Sequence, residues 1–524
     1  MYIIKAVNPF EPWRPFRVCL AILISAAAYP SFAQVPASGG ASQASQPIHL
    51  PLSSRTAGAS VSVQQTTSPG GPNTLNTSVQ VGGDFSGSVP EAKPAQAVIN
   101  LTLADAIRLG LRTNLGVISS NNATVMTKAE RLRALAALLP SISMNASDTV
   151  AQTNLAAYGF KFQLPPGLNF SIPTVVGPYN FTQIAGALST SVYDPVARRN
   201  WHAEQELERA SDLSAKDARE LVVMAVVGAY LQTVATAARI DSQRAQVANA
   251  DAVHHQAEVR KQAGTNARID VMRTLVELQT QQQRLNSLES DWGTQKLALA
   301  RSIGLPLDLE INLSDKLSPD IIPIPEPASA IQQALAQRSD LKAVEAQVRA
   351  AQFSVDAARA ERLPSVTLNG DYGVLGPNPA QTHGVFSVTG AVNVPVWTGG
   401  RIKAEVEQAQ AGLQQRQAEL ADQKGRVEQE VRAALIHLRT AVGQLQLADT
   451  NREYAAETLR EARDRFRLGV ANTVEVVQAQ EQVAAAEADY VSSLYSLDVA
   501  RLNLARAAGQ AATALPDLLK GNRP

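Results

Sequence analysis

Few residues in this chain have the type and spacing that chemistry needs. His254 and His255 are adjacent, so on a helix their side chains point about 100° apart and make a poor metal pair without ligands from elsewhere. A surface position near a helix end suits them better. Tyr193 and Trp397 close two alternating segments, where an aromatic belt at a membrane interface fits better than a catalytic or ligand-stacking pair. No Gly-x-Ser-x-Gly elbow, glycine-rich phosphate loop or His-Glu-x-x-His helix occurs. Two carboxylates stand out by position alone: Asp270 and Glu475 each lie six residues after a helix-breaking glycine, Gly264 and Gly469. An isolated helical carboxylate is ordinarily a solvated charge. The expectation is therefore a protein that is not an enzyme and needs neither cofactor nor metal.

The elements that position these residues begin with an export signal. Arg14 and Arg17 precede an apolar run from Val18 to Ile24 that continues through alanines to Tyr29, and Ser31-Phe32-Ala33 supplies small residues for cleavage. Residues 1–33 read as a signal peptide; Cys19, the only cysteine, lies at the front of the apolar run rather than behind it. With 47 basic and 47 acidic residues among 524, the charge balance gives no reason to expect a nucleic-acid partner. No later segment is uninterruptedly apolar over the roughly 18 residues a spanning helix needs. A membrane crossing would then require a closed β-barrel.

Residues 34–95 are dominated by Ser, Gly, Pro, Gln, Thr and Ala, and read as a flexible extension. The remainder divides into two copies of one pattern, 96–310 and 328–510, joined by a proline-rich linker at 311–327 and followed by a tail, 511–524. Ala106, Ile107, Leu111, Asn114 and Val117 correspond to Ala330, Ile331, Leu335, Arg338 and Leu341, and Leu139-Pro140-Ser141 corresponds to Leu363-Pro364-Ser365. Each copy reads as a helix of about ten turns stopped by proline. A β-hairpin with period-two alternation follows, at 140–195 and 364–397. The loop from Ala156 to Tyr179 is much longer than its counterpart near Gly376 to Gly384, which is tolerable where insertion disturbs no packing.

Each hairpin leads into a helical pattern without proline, from about Val196 to the break at Gly264 and from Arg401 to the break at Gly469. A continuous helix from Arg401 to Arg467 would reach roughly 100 Å. Val427, Val431, Leu435, Leu438, Val442 and Leu445 form its apolar stripe. Helices this long must pack laterally on one another, and four short strands cannot close a barrel, so closure requires several chains.

With these features the chain resembles the TolC-like outer-membrane efflux protein family. The marks are the doubled Leu-Pro-Ser step, the Pro395-Val396-Trp397-Thr398-Gly399-Gly400 strand exit, and the paired breaks Ala263-Gly264-Thr265 and Leu468-Gly469-Val470. The resemblance implies an α+β membrane protein: a homotrimer with a shared twelve-strand outer-membrane barrel, four strands per chain, above a coiled-coil periplasmic tunnel, and an internal two-fold repeat. It implies the exit duct of a tripartite efflux or type I secretion system, working with a periplasmic adaptor and an inner-membrane pump of RND, ABC or MFS type, in contact with outer-membrane lipid. Gly264, Thr265, Gly469 and Val470 become adaptor-contacting tips. Asp270, Phe466, Glu475 and Gln478 become the periplasmic gate and selectivity positions.

Departures from the best-known member fall at that gate. Phe466 stands in place of a hydrogen-bonding tyrosine, Ala471 in place of an arginine, and Gln478 in place of a second acid. The resemblance thus implies that Asp270 lacks its usual partners. A periplasmic adaptor or other coiled-coil interaction protein is the rival reading, but it would show one hairpin and a Gly-rich lipoyl-like domain, whereas here the hairpin is doubled.

Overall fold

The computed structural model describes residues 46, 60–65, 77–90, 98–157, 159, 173–265, 267–320, 323–468 and 470–511. The expected signal peptide, its cleavage site, Gly469, most of the long 156–179 loop and nearly all of the 511–524 tail lie outside them.

The described chain opens with β1 (Ser60–Gln65), β2 (Thr77–Gly82), a 3-10 turn (Gly83–Ser86) and β3 (Val98–Leu101). Next come α1 (Leu103–Thr113), α2 (Leu115–Ala136), β4 (Ser141–Asn154), β5 (Val175–Tyr193), α3 (Pro195–Gln262) and α4 (Arg268–Ile303). A short strand, β6 (Glu310–Leu313), precedes the same order again: α5 (Pro327–Gln337), α6 (Ser339–Ala360), β7 (Ser365–Gly376), β8 (His383–Asn393), α7 (Arg401–Arg467) and α8 (Thr473–Ala507). The helices of the first half have 11, 22, 68 and 36 residues; those of the second have 11, 22, 67 and 35.

Two compact units result. One comprises Ile142–Ala187 and Gly370–Ser387; the other holds the helices. The four strands join in the order β4-β5-β7-β8, which leaves β4 and β8 as edges. Their apolar residues alternate as the sequence leads one to expect, and they are uncovered: Ile142 is 81% exposed, Met144 79% and Phe386 77%. Pairing in the second hairpin ends at Asn393, short of the expected Trp397, because Pro395 has no N–H to add to a ladder.

Within the helical unit α3 is the organising element. One of its faces packs Val222, Val226 and Tyr230 with Leu299 and Ile303 of α4, and another packs Val223, Val227 and Leu231 with Tyr495 and Leu502 of α8. Burial on several sides explains the continuous apolar run that starts at Leu221. One 18-residue window of α3, of mean hydropathy 1.8, is long and apolar enough to cross a membrane by composition, yet 72% of it is buried in the helical unit.

Three sequence expectations need correction. The ten-turn helix of each half is two helices, bent where Asn114 and Arg338 adopt extended backbone (ψ 134° and 126°). The 34–95 stretch is not uniformly an extension: β1 and β2 pair antiparallel, Val61, Val63, Val79 and Val81 pack on the α3 core, and Phe85 is buried. Average composition concealed a local period-two apolar pattern that buries one face of a hairpin. Linker residues 311–327 likewise begin in β6, parallel to β3, and Asp315 Oδ2 accepts hydrogen bonds from Leu103 N and Tyr230 Oη, at 2.7 and 2.8 Å.

Candidate functional site at the hairpin turns

The turn between α3 and α4 is closed by its own backbone. Gly264 has φ 76°, a left-handed conformation that disfavours any side chain. Gly264 N donates to Lys261 O at 3.0 Å and Thr265 N to Arg260 O at 2.9 Å, the pair of bonds by which a glycine-terminated helix satisfies its last carbonyls. In the second turn Val470 N donates to Arg465 O at 3.0 Å. Beyond it Asn472 caps α8 by accepting from Glu475 N at 3.0 Å. Val470 is 67% exposed, and Thr265 is also exposed.

Beneath the turns lies a small core of Val253 from α3, Leu459, Ala462 and Phe466 from α7, and Val476, Ala479 and Val483 from α8, with Ala471 packed against it. Phe466, expected at a gate, is only 3% exposed and holds α7 to its neighbours. The Arg260 guanidinium lies 4.1 Å from the centroid of its ring. Arg260 Nη2 also donates to Phe466 O at 2.9 Å and Arg467 O at 3.4 Å, so a cation from α3 satisfies the carbonyl end of α7.

Asp270 and Glu475 occupy the first turns of α4 and α8, where a negative charge suits the helix dipole. Each has an arginine partner within its own hairpin. Glu475 accepts from Arg465 Nη1 at 2.6 Å, and Asp270 lies 3.8 Å from Arg273. The cationic neighbour of Asp270 is thus one from its own helix. Gln478 lines an open groove of about 490 Å³ between the starts of α4 and α8, together with Ile269, Met272, Val276, Val474 and Val477.

Sequence reasoning missed Arg260 and Arg465. Their signal was present: each stands four residues before its turn glycine. Elsewhere, His254 Nδ1 lies 3.0 Å from Thr274 Oγ1, a local tie on the hairpin. Among the described residues no group of three or more His, Cys, Asp or Glu gathers as a metal site would require. Tyr193 is 48% and Trp397 88% exposed.

Known proteins share this architecture. Residues 330–510 match the family described as outer membrane efflux protein. A pyoverdine export outer membrane protein of Pseudomonas putida, OpmQ, is 28% identical over 262 residues, covering 49% of this chain and 54% of that protein. A toluene efflux pump outer membrane protein of Pseudomonas putida, TtgC, is 25% identical over 415 residues, covering 72% and 83%. The crystal structure of the Campylobacter jejuni CmeC outer membrane channel superposes with a TM-score of 0.66 at 17% identity, covering 80% of this chain and 89% of that one. The aligned part spans about half the length of the first curated relatives. The family match thus falls on the second half of this chain, and the fold is one shared with solved outer-membrane channels. The homologues are outer-membrane proteins of efflux systems, a family of transport channels rather than of enzymes.

Proposed function

We propose that this chain is one of three identical subunits of an outer-membrane exit duct, without enzymatic activity, through which an inner-membrane pump and a periplasmic adaptor pass substrates out of the cell. The observation that carries the reading is the four-stranded sheet. It has two edge strands and an uncovered apolar face, in a chain whose two halves each contribute one long helical pair. In lipid an open edge is not tolerated, and three copies supply the twelve strands that close a barrel. The near-equal helix lengths support an internally repeated chain. Tyr193 and Trp397 would then sit at the membrane interface. Thr265 and Val470, with the glycines beside them, would meet the adaptor, and Asp270, Glu475 and Gln478 would line the narrow end. Phe466 acts there by packing.

Outer-membrane fractionation followed by electrophoresis of unheated and heated samples tests this. A band near three times the 55.8 kDa chain mass that collapses on heating is expected, together with cation-preferring conductance in planar bilayers. A monomer in the soluble fraction would overturn the reading.

A further inference from the structure

We propose that Tyr179 and Phe181 line the inside of the barrel at its outer mouth and, in three copies, form an aromatic collar that stacks on planar aromatic molecules as they leave. The inference rests on the channel reading above and names the chemistry of cargo that the last stretch of the duct favours.

The two faces of the four-stranded sheet carry different side chains. Ile142, Met144, Ile184, Leu188, Phe386 and Val388 are exposed on one. On the other, Ser189 Oγ donates to Asn369 Oδ1 at 2.8 Å and Ser387 Oγ donates to Asp371 Oδ1. The apolar face suits lipid and the polar face a water-filled lumen. Toward the start of β5 this assignment inverts. Asn180 and Thr182 take positions on the lipid face, where Thr182 Oγ1 donates to Asp148 Oδ1 at 2.8 Å, and Tyr179 and Phe181 take the lumen face. Ser141 bonds to Ser189, and seven residues on in β4 and seven back in β5 Asp148 bonds to Thr182, so no bulge between them swaps the faces. Tyr179 Oη lies 3.1 Å from Thr153 Oγ1, a residue that alternation puts on the same face as Ser141. The two rings stand 6.4 Å apart between centroids and 21° from parallel, and Tyr179 is 41% exposed.

From Tyr193 back to Phe181 and Tyr179, a strand tilted by about 40° rises roughly 30 to 35 Å. The apolar band of such a barrel is about 25 Å tall, so the rings lie beyond it. Aromatic girdles at that level face lipid; these rings face the opening. Three copies place them around one mouth. Exposed π faces hold flat molecules by stacking, which tolerates variation in the ligand because it needs no specific hydrogen bond.

Thiol modification in planar bilayers tests the placement. Cys19 is the only cysteine, so on a Cys19→Ser background Tyr179→Cys, Phe181→Cys and Asn180→Cys each carry one thiol per chain. A trimethylammonium-ethyl methanethiosulfonate should lower the single-channel conductance of the first two in three steps and leave that of Asn180→Cys, on the opposite face, unchanged. Ethidium, a planar aromatic cation, tests the chemistry. It should partly block the wild-type channel, and the half-blocking concentration should rise about fivefold in Tyr179→Ser and in Phe181→Ser, the loss expected of one stacked ring. Wild-type channels with no conductance change on modification of Phe181→Cys, or with an equal change in Asn180→Cys, overturn the collar alone. Unaltered ethidium block in both serine variants overturns its preference for aromatic cargo. Absence of channels from outer-membrane wild-type protein would overturn the channel reading and the collar with it.

Discussion

Asn114 and Arg338 bend equivalent helices in the two halves, and they are held by different chemistry. Asn114 is fully buried and neutral. Its Oδ1 caps α2 by accepting from Gly116 N at 2.9 Å, and its Nδ2 donates to Phe85 O at 2.9 Å and Ser302 O at 3.2 Å. Arg338, 2% exposed, instead forks onto Asp340, at 3.0 Å from Nε and 2.6 Å from Nη2, and also binds Glu430. Gln423 of α7 donates to the same Asp340 at 2.8 Å. Nearby, Arg506 of α8 pairs with Asp217 and Glu220 of α3. One bend thus draws on the N-terminal segment through Phe85, and the other joins its helix to α7 through charge. A backbone break can thus be kept while its partners change, provided the buried polar groups stay satisfied.

Arg338→Ala should have the largest effect. It leaves Asp340 partly buried beside Glu430 without its cation, which costs about 3 to 5 kcal/mol, read by denaturant unfolding of the detergent-solubilised protein. The loss should depend on pH. Burial alone would raise the Asp340 pKa, but the hydrogen-bonded Arg338 guanidinium outweighs it and holds the carboxyl below its usual 3.8. A depressed carboxylate contributes stability that is fully present above the unfolded value and is lost as pH falls through the folded one. The gap between wild type and Arg338→Ala should therefore be widest at neutral pH and narrow below about pH 4. A gap that widened on acidification would break this account of the second bend.

Gly228→Ala tests the strap that only the first half carries. A Cβ there would stand 2.5 Å from Val79 Cγ2, so β2 must move, at about 1 to 3 kcal/mol, with faster proteolysis of the N-terminal segment as the readout. Asn114→Ala removes a cap and strands the Phe85 and Ser302 carbonyls, for about 1 to 2 kcal/mol. Unlike the Arg338 loss, this one should not change with pH, because no charge is involved. The smallest effect belongs to Arg465→Gln. Its pair with Glu475 is half exposed and should contribute less than about 1 kcal/mol, and an unchanged melting temperature is expected.

Much of the architecture was legible in the sequence. Leu139-Pro140 and Leu363-Pro364 marked the helix ends because proline cannot continue a helix, and the alternation at Ser141-Ile142-Ser143-Met144 marked a two-faced strand. Asn114 carried a readable signal for the first bend, since asparagine is a favoured N-cap. Arg338 carried none, because it bends its helix without a side-chain cap and is held by residues as distant as Glu430. The β1–β2 hairpin was missed because its valines lie in a polar background that composition averages away.

At the turns, residue types and spacing determined the paired glycines, the two acids after them and, unread, the two arginines before them. Only the tertiary structure decided that Phe466 is buried, that Arg465 stays within its hairpin and that Arg260 crosses to the other. Those choices depend on which helices lie side by side, and a long flexible side chain takes whichever acceptors packing brings within reach.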